Sequence, residues 1–434
     1  MKKSFVFLAS ALMAAMCATT LFTSCLQDAV KDVVADQQTS TLGFIDTARP
    51  DVEKFIPAEG ERIEGRYIVQ LTNEFLLPGA LVDTASTAGR ESASRLSGAR
   101  LSINSGKIYE LMAEFGIGKE KASEIYTEAI SGFAAELGQD EVKRLLSDRR
   151  VLSVSEDFFV QREMPEIEVA QGVPEYQVVP CGITRHNGPG VGPSSKWIWI
   201  VDSGISLHQD LNVETNTTYA RSFVGGSPFN DCIGHGTHIA GTAAAKNNSI
   251  GVVGMSAGAR VVPVRIFGCS NGAPLATILS GINHVALYDE SGDVCNLSLG
   301  GYYGSGCSNY SPYRNAVTNM AASGTRVVIS AGNDGANAAY YHPACINGTR
   351  IYTVANMDCY NNWNWSSNYG TNPVDWIAVG TNVYSTLPNN QYGIMSGTSM
   401  SAPHVSGIVH ARQGNPAQCG WVYRYEVGYK VACR

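Results

Sequence analysis

Four short stretches hold residue types that can do chemistry. "DCIGHGTHIAG" (231–241) sets Cys232, His235 and His238 three residues apart, a thiol and two imidazoles at a spacing that suits metal ligation. "IWIVDSGI" ends an apolar run in Asp202, "ISAGNDG" presents Asn333 beside Gly332, and "GIMSGTSMSAPHVSGI" puts Ser399 at the start of a helix-like segment. Two chemistries are open at this point. One is hydrolysis by a metal held by Cys232, His235 and His238. The other is nucleophilic catalysis, in which a serine hydroxyl, a poor nucleophile when neutral, is activated by an imidazole. Apolar flanks bury the acid at 202, so it needs hydrogen bonds to stay charged. Glycines around His235 and Ser399 let backbone and substrate come close. Zinc hydrolases usually pair histidines at i, i+4 on a helix or use Cys-x-x-Cys, and neither pattern occurs in this chain. Taken singly, Asp202 is equally a turn or cap residue, Asn333 a turn residue and Ser399 an N-cap.

These residues need elements to position them. The 434 residues are enough for two folded units, and 44% hydrophobic against 16% charged suits a sizeable core. From residue 196 onward apolar runs recur: "KWIWIVD", "ARVVPVRIF", "GDVCNLSLGG", "TRVVIS", "RIYTVAN" and "VDWIAVG". Helix-like segments such as "APLATILSGINHVALYDE" and "PYRNAVTNMAASG" separate several of them. Continuous apolar strands alternating with helices imply an α/β fold with a parallel sheet covered on both faces. After "APHVSGI" the last helix breaks at "ARQGNP", and "CGWVYRYEVGYKVACR" reads as a two-strand finish.

Upstream the pattern differs. "RYIVQL" and "VLSVSEDFFV" alternate as strands do. "KIYELMAEFGI" spaces Ile108, Leu111, Met112 and Phe115 along one helix face. "EIYTEAISGFAAEL" is extended, and "GQDEVKRLLSD" is a short amphipathic helix with acids in its first turn. "ASTAGRESASRLSGARLS", rich in Ser, Ala, Gly and Arg, reads as a mobile insertion or loop. The order of elements predicts a small ferredoxin-like α+β module over 66–160. The irregular stretch 161–178 reads as an exposed, processed linker.

The stretches around Asp202, His235 and Ser399, in that chain order, resemble the subtilisin family of serine proteases (subtilases), and within it the bacterial proteinase K and aqualysin type. The module carrying "GRYIVQL", "ISGFAAEL" and "RRVLSVSEDFFV" resembles their inhibitory propeptide. The resemblance implies a subtilisin-like three-layer fold over 179–434, made as a zymogen whose propeptide templates folding and blocks the cleft. It implies endopeptidase activity through an acyl-enzyme. His235 would be the general base for Ser399, and Asp202 would hold the His235 tautomer and stabilise its charged form. The Asn333 side chain and the Ser399 backbone N–H would stabilise the oxyanion. Ser298, Leu299, Gly300 and Gly301 would pair with an extended substrate. With Ser330, Ala331 and Gly332 they would wall the first specificity pocket. Small and apolar walls imply broad specificity favouring large apolar side chains, with some basic preference from Asp334 at the rim. The resemblance also implies a Cys232–Cys269 disulfide that ties the His235 loop to the next strand, leaving His238 as a structural hydrogen-bonding residue. No cofactor enters the chemistry. Structural calcium is common in the family, with Asp210, Asp231, Asp358 and Asp375 as candidate ligands and no local motif to choose among them.

Residues 1–24 have the makeup of a targeting signal: Lys2 and Lys3, an apolar run, then small residues before Cys25. The segment resembles a bacterial lipoprotein signal with Cys25 as the lipidated residue, although Phe22 stands where Leu is usual. An ordinary secretory peptide is the alternative. Either implies an exported bacterial protein, secreted or held at the cell envelope through a lipid anchor, with 25–65 as a tether. Eleven cysteines suit export, and without Cys17 and Cys25 an odd nine remain. Cys345 with Cys359 and Cys419 with Cys433 are expected as local pairs. Cys181, Cys295 and Cys307 are left over, with Cys295 a buried thiol in an apolar strand. A net charge of −7 without a basic run argues against nucleic acid. The expected partners are polypeptide substrates and the chain's own propeptide, on a monomer.

Overall fold

Trp197, Ile198, Trp199, Ile200 and Val201 are all buried, because a run without polar alternation fits only a strand covered on both faces. This strand lies within the large sheet of the computed structural model. The structure describes residues 54–72, 89–161, 166–170 and 174–434, except positions 59, 175, 270–271, 305–306 and 308–310. The expected signal segment 1–24, Cys25 and most of the tether lie outside the described residues.

In the N-terminal module, β1 (Phe55–Ile56), β2 (Glu61–Leu71), β3 (Ala122–Tyr126), β4 (Gly132–Glu136) and β5 (Val151–Gln161) pair in the order β1-β5-β2-β4-β3. Helix α1 (Gly89–Glu114) follows β2, and α2 (Gln139–Leu146) follows β4. This is the ferredoxin-like arrangement, with its sheet starting at Phe55, upstream of Arg66. Ile108, Leu111 and Met112 are fully buried, as their spacing predicts. The Ser/Ala/Gly/Arg stretch differs from expectation: from Gly89 onward it is helix, the first half of α1. Serine and glycine are weak helix formers, so tertiary contacts decide the matter. Arg100 pairs with Glu128 at 2.6 Å, and Ser97 and Asn104 are buried.

The larger domain runs through β6 (Glu168–Val169), α3 (Cys181–Arg185), β7 (Trp197–Asp202), β8 (Asn212–Val213), β9 (Arg221–Ser222), α4 (His235–Ala244) and β10 (Arg260–Arg265). It continues through β11 (Gly272–Pro274), α5 (Leu275–Tyr288), β12 (Val294–Leu297), β13 (Gly301–Tyr302), α6 (Pro312–Ala322), β14 (Arg326–Ser330), β15 (Tyr341–His342), β16 (Ile351–Met357) and β17 (Val374–Val379). It ends with β18 (Val383–Leu387), β19 (Gln391–Met395), α7 (Thr398–Arg412), β20 (Ala417–Arg424) and β21 (Val427–Cys433). The large sheet has the order β20-β21-β17-β16-β14-β12-β7-β10-β8, with β9 also on β10. Its pairings are parallel except β20 with β21. Helices α4 and α7 pack together as one layer, and α5 and α6 as another. The chain passes from β7 to β10 on one side and returns to β12 on the other. That reversal makes β7 and β12 a topological switch point, where open α/β sheets place their sites, at the C-terminal ends of the strands. α7 ends at Gln413, whose φ of 52° is left-handed, and the two-strand finish follows.

The N-terminal module sits on α5 and α6. Asn283 Oδ1 accepts the N–H groups of Thr127, Glu128 and Ala129 at 3.0, 2.8 and 3.2 Å. Ala276 N, in the first turn of α5, donates to Asp157 at 3.1 Å. The carboxylate thereby meets the positive end of the helix dipole.

Among the described residues there are four disulfides: Cys181–Cys359, Cys232–Cys269, Cys307–Cys345 and Cys419–Cys433. Cys295 is a buried free thiol. The expected pairing of Cys345 with Cys359 is corrected. Cys345 precedes β16 and Cys359 follows it, so an extended strand of roughly 20 Å holds the two apart. Each finds a partner distant in sequence instead.

Candidate functional site

Asp202 is the last residue of β7 and has no exposed surface. Its charge is compensated locally: the Ser203 backbone N–H donates at 2.7 Å and the Ser203 hydroxyl at 3.0 Å. The same hydroxyl accepts from Gly236 N at 3.0 Å, linking the end of β7 to the first turn of α4. His235 opens α4, and its Nδ1 lies 2.8 and 2.9 Å from the two Asp202 oxygens. Donation from Nδ1 leaves Nε2 as the basic nitrogen of the neutral ring.

The loop ahead of His235 is fixed by Asp231. Its carboxylate accepts Gly234 N at 2.8 Å, and Thr237 N and Thr237 Oγ1 at 2.8 and 2.6 Å. Gly234 has φ of 82°, a conformation that favours glycine. Cys232 is bound to Cys269 and is no thiolate ligand. His238 points elsewhere: its Nε2 lies 2.9 Å from the Val383 carbonyl and 3.2 Å from that of Gly393. Burial pushes its pKa down to about 3, so it stays neutral. The three residues of "DCIGHGTH" thus do separate work, and they form no metal centre. A group of Cys307, His342 and Cys345 does lie close together, but its two sulfurs are bonded to each other.

Ser399 stands in the first turn of α7, which packs against α4. Its Oγ is 3.5 Å from the Ser298 carbonyl, and Ser298 Oγ donates to the Ser399 carbonyl at 2.9 Å. Ser298 is positioned in turn by Asn296 Nδ2 at 2.9 Å. Asn333 follows β14. Its Oδ1 accepts Thr398 N at 2.8 Å and Thr398 Oγ1 at 3.1 Å, and Thr398 Oγ1 accepts Gly332 N at 3.1 Å. Two anchors on Oδ1 fix the amide plane and leave Nδ2 to serve as donor.

Asn333, Ser399 and Ser298 line one cavity of about 230 Å³. Leu299, Gly300, Gly301, Ser330, Ala331, Gly332 and Asp334 line it too, so every expected pocket residue is gathered there. Sequence reasoning missed Tyr302, Tyr341, His342 and Ala344, which line the same cavity. It also missed Ser203 and Thr398, although each adjoins a residue it singled out. Asn368 was missed as well: its amide holds the Asn333 loop through Asp334 N at 3.0 Å and the Ala331 carbonyl at 3.0 Å.

The cleft is entered by the N-terminal module. β5 runs antiparallel to β11, pairing Phe159 with Pro274, Val160 with Ala273 and Gln161 with Gly272. Gln161 lines the cavity beside Ser399. The chain lies as an added strand, the manner in which extended peptides bind sheet edges.

Comparison with known proteins agrees with this geometry. The Subtilase family matches residues 196–423, and the peptidase inhibitor I9 family matches residues 66–163. The M-protease of Shouchella clausii (strain KSM-K16) is 34% identical over 297 residues, covering 67% of this chain and 71% of its own. Subtilisin Savinase of Lederbergia lenta is 37% identical over 248 residues, covering 56% of this chain and 87% of its own.

Proposed function

From the premise that this chain belongs to the subtilase family and is a serine endopeptidase with an I9-type propeptide, we propose that Asp202, His235 and Ser399 form its catalytic triad. The observation that carries this reading is the fully buried Asp202 carboxylate, with both oxygens on His235 Nδ1. His235 Nε2 takes the Ser399 hydroxyl proton as Oγ attacks the substrate carbonyl carbon. The negative charge that develops on the carbonyl oxygen is met by Asn333 Nδ2 and the Ser399 backbone N–H. Protonated His235 then gives its proton to the leaving amine, and the peptide bond breaks. Water, deprotonated by His235, releases the acyl group and restores Ser399. Asp202 stays ionised and stabilises the imidazolium.

Leu299, Ala331, the glycine backbone and the Tyr341 ring make a pocket suited to a large apolar side chain, which supports the broad, apolar preference. Asp334, on the same cavity, adds the basic tolerance. Four disulfides support an oxidising compartment and hence export. No helix among the described residues is long and apolar enough to cross a membrane. Attachment through a lipid on Cys25 belongs to this reading.

A structural calcium ion belongs to this reading, with Asp210 as its candidate carboxylate. Asn248 Nδ2 lies 2.8 Å from Asp210 Oδ1, and Gln177 Nε2 lies 2.9 Å from the Lys246 carbonyl and 3.5 Å from that of Val252. These amides donate, so an ion there would replace the Asn248 N–H at the Asp210 carboxylate and take the Lys246 and Val252 carbonyls as further oxygen donors. Asp231, Asp358 and Asp375 accept the N–H groups of Thr237, Asn362 and Thr353, and Asp210 likewise accepts Val252 N at 2.9 Å, but of the four only Asp210 has two side-chain amides and two carbonyls beside it.

The test is casein hydrolysis by the processed protein, with a serine-directed inhibitor, with a chelator, and with Ser399→Ala. Activity that survives Ser399→Ala would sink the serine mechanism. Ser399→Ala should also accumulate uncleaved precursor, and normal processing in that variant would assign the cleavage to another protease.

A further inference from the structure

The strands that carry the catalytic site have a second polar site at their other ends. Asp293 directly precedes β12, and Trp197 is the first residue of β7. Trp197 and Asp202 are therefore about 17 Å apart along one strand. Asp293 has no exposed surface. Its oxygens accept Trp197 N at 2.9 Å, Trp199 Nε1 at 2.9 Å and Glu290 N at 3.1 Å. Both oxygens also accept from an arginine of the propeptide, so Oδ2 is shared among three donors. Arg90, in the first turn of α1, donates Nη1 to Oδ2 at 2.9 Å and Nη2 to Oδ1 at 3.0 Å. The second hydrogens of Nη1 and Nη2 go to the carbonyls of Tyr288 and Ser195, both at 3.1 Å, and Glu290 lies 3.4 Å from Nη2. The guanidinium carbon sits 3.7 Å from the centre of a Trp197 ring.

This is more than a surface ion pair. The Arg90 side chain is 11% exposed and Asp293 not at all, so solvent screens the pair little. A flat fork of donors faces a carboxylate, two carbonyls and an aromatic face, the combination that distinguishes guanidinium from ammonium. Every recognition element belongs to the protease domain, and only the guanidinium comes from the propeptide.

We propose that Asp293, Glu290, Trp197 and the carbonyls of Ser195 and Tyr288 form a guanidinium-binding exosite. Arg90 fills it in the precursor, and departure of the propeptide opens it to an arginine side chain of a polypeptide. The opening rests on the processing described above, while the recognition does not.

The decisive comparison uses full-length Ser399→Ala precursor, in which the propeptide stays in the cleft, with and without Arg90→Ala. The probe is Nα-acetyl-L-arginine amide, followed by calorimetry and indole fluorescence, against the citrulline and lysine amides. The Arg90→Ala precursor should bind the arginine amide saturably, at least about tenfold better than the neutral citrulline amide, and the parent should not. Adding Glu290→Gln, a change at the rim, should weaken binding several-fold. Equal binding with and without Arg90, or equal binding of citrulline, overturns the exosite. Should Arg90→Ala fail to fold, processed wild-type enzyme with Ser399 sulfonylated replaces it. There Glu290→Gln must weaken arginine amide binding, and an unchanged affinity overturns the proposal. Failure of processing alone leaves the precursor comparison intact, so the two readings fail separately.

Discussion

Thr398 should be as informative about the oxyanion site as Asn333 itself. Asn333→Ala removes the side-chain donor. Its expected loss is about 3 kcal/mol, or roughly 100- to 1,000-fold in kcat, a size established for such donors in subtilisins. Thr398→Val leaves the donor but removes one of its two anchors, the 3.1 Å bond to Oδ1, together with the 3.1 Å bond from Gly332 N. The 2.8 Å bond from Thr398 N survives. Two neutral hydrogen bonds lost against one kept should cost about 1 to 2 kcal/mol, or about 5- to 30-fold in kcat, with KM nearly unchanged. If Thr398 acts through Asn333, its substitution has little left to remove once Asn333 is gone. The double variant should then lie within about threefold of Asn333→Ala, because residues acting as a unit are not additive. The assay is steady-state hydrolysis of a peptide anilide with an apolar residue before the scissile bond, with kcat and KM resolved separately. Multiplicative losses in the double variant, or a Thr398→Val loss as large as that of Asn333→Ala, would refute the reasoning.

Three further predictions follow from buried groups. Burial pushes His284 down to about 4 from its ordinary 6.5, and its Nε2 lies 2.7 Å from the Tyr219 carbonyl. A lowered folded value means that its stabilisation is complete above pH 6.5 and is lost as the pH falls through 4. The loss approaches about 3 kcal/mol below that point. In denaturant titrations of the Ser399→Ala chain, His284→Gln should close the gap to its parent across this window, and parallel curves would contradict the assignment. Millimolar calcium should raise the Tm of the parent, while Asp210→Ala should abolish the rise and Asp358→Ala should keep it. A parent indifferent to calcium would remove the ion from the account. Non-reducing peptide maps should give Cys181 with Cys359 and Cys307 with Cys345, and Cys295 should resist maleimide until the chain unfolds. A Cys345–Cys359 peptide would overturn that pairing.

The proposed site was legible where it depends on residues close in sequence. "VDSG", "GHGTH" and "SGTSM" each carry a functional side chain together with the glycines and apolar flanks that fix its backbone. Strand and helix periods gave the α/β and ferredoxin-like modules for the same reason. Both patterns record one element's own burial, and burial is written into every second or fourth residue. Tyr341 and His342 escaped notice because nothing near them in the chain says that β15 ends against the pocket. The first half of α1 was misread because its propensity is weak and its helix is decided by Arg90 and Arg100 reaching across the fold.

The sequence by itself carried the chain order of Asp202, His235 and Ser399, the strand and helix pattern of both modules, and a buried thiol at Cys295; resemblance to the family supplied the Cys232–Cys269 pair. Tertiary structure alone decided which partners Cys345 and Cys359 find on either side of β16, which donors reach Asp210, and that Asn333 is held by its neighbour in space, Thr398. It alone placed Arg90 against Asp293, 203 residues away. Contacts of that kind depend on where the sheet brings the ends of its strands, and no local spacing encodes them.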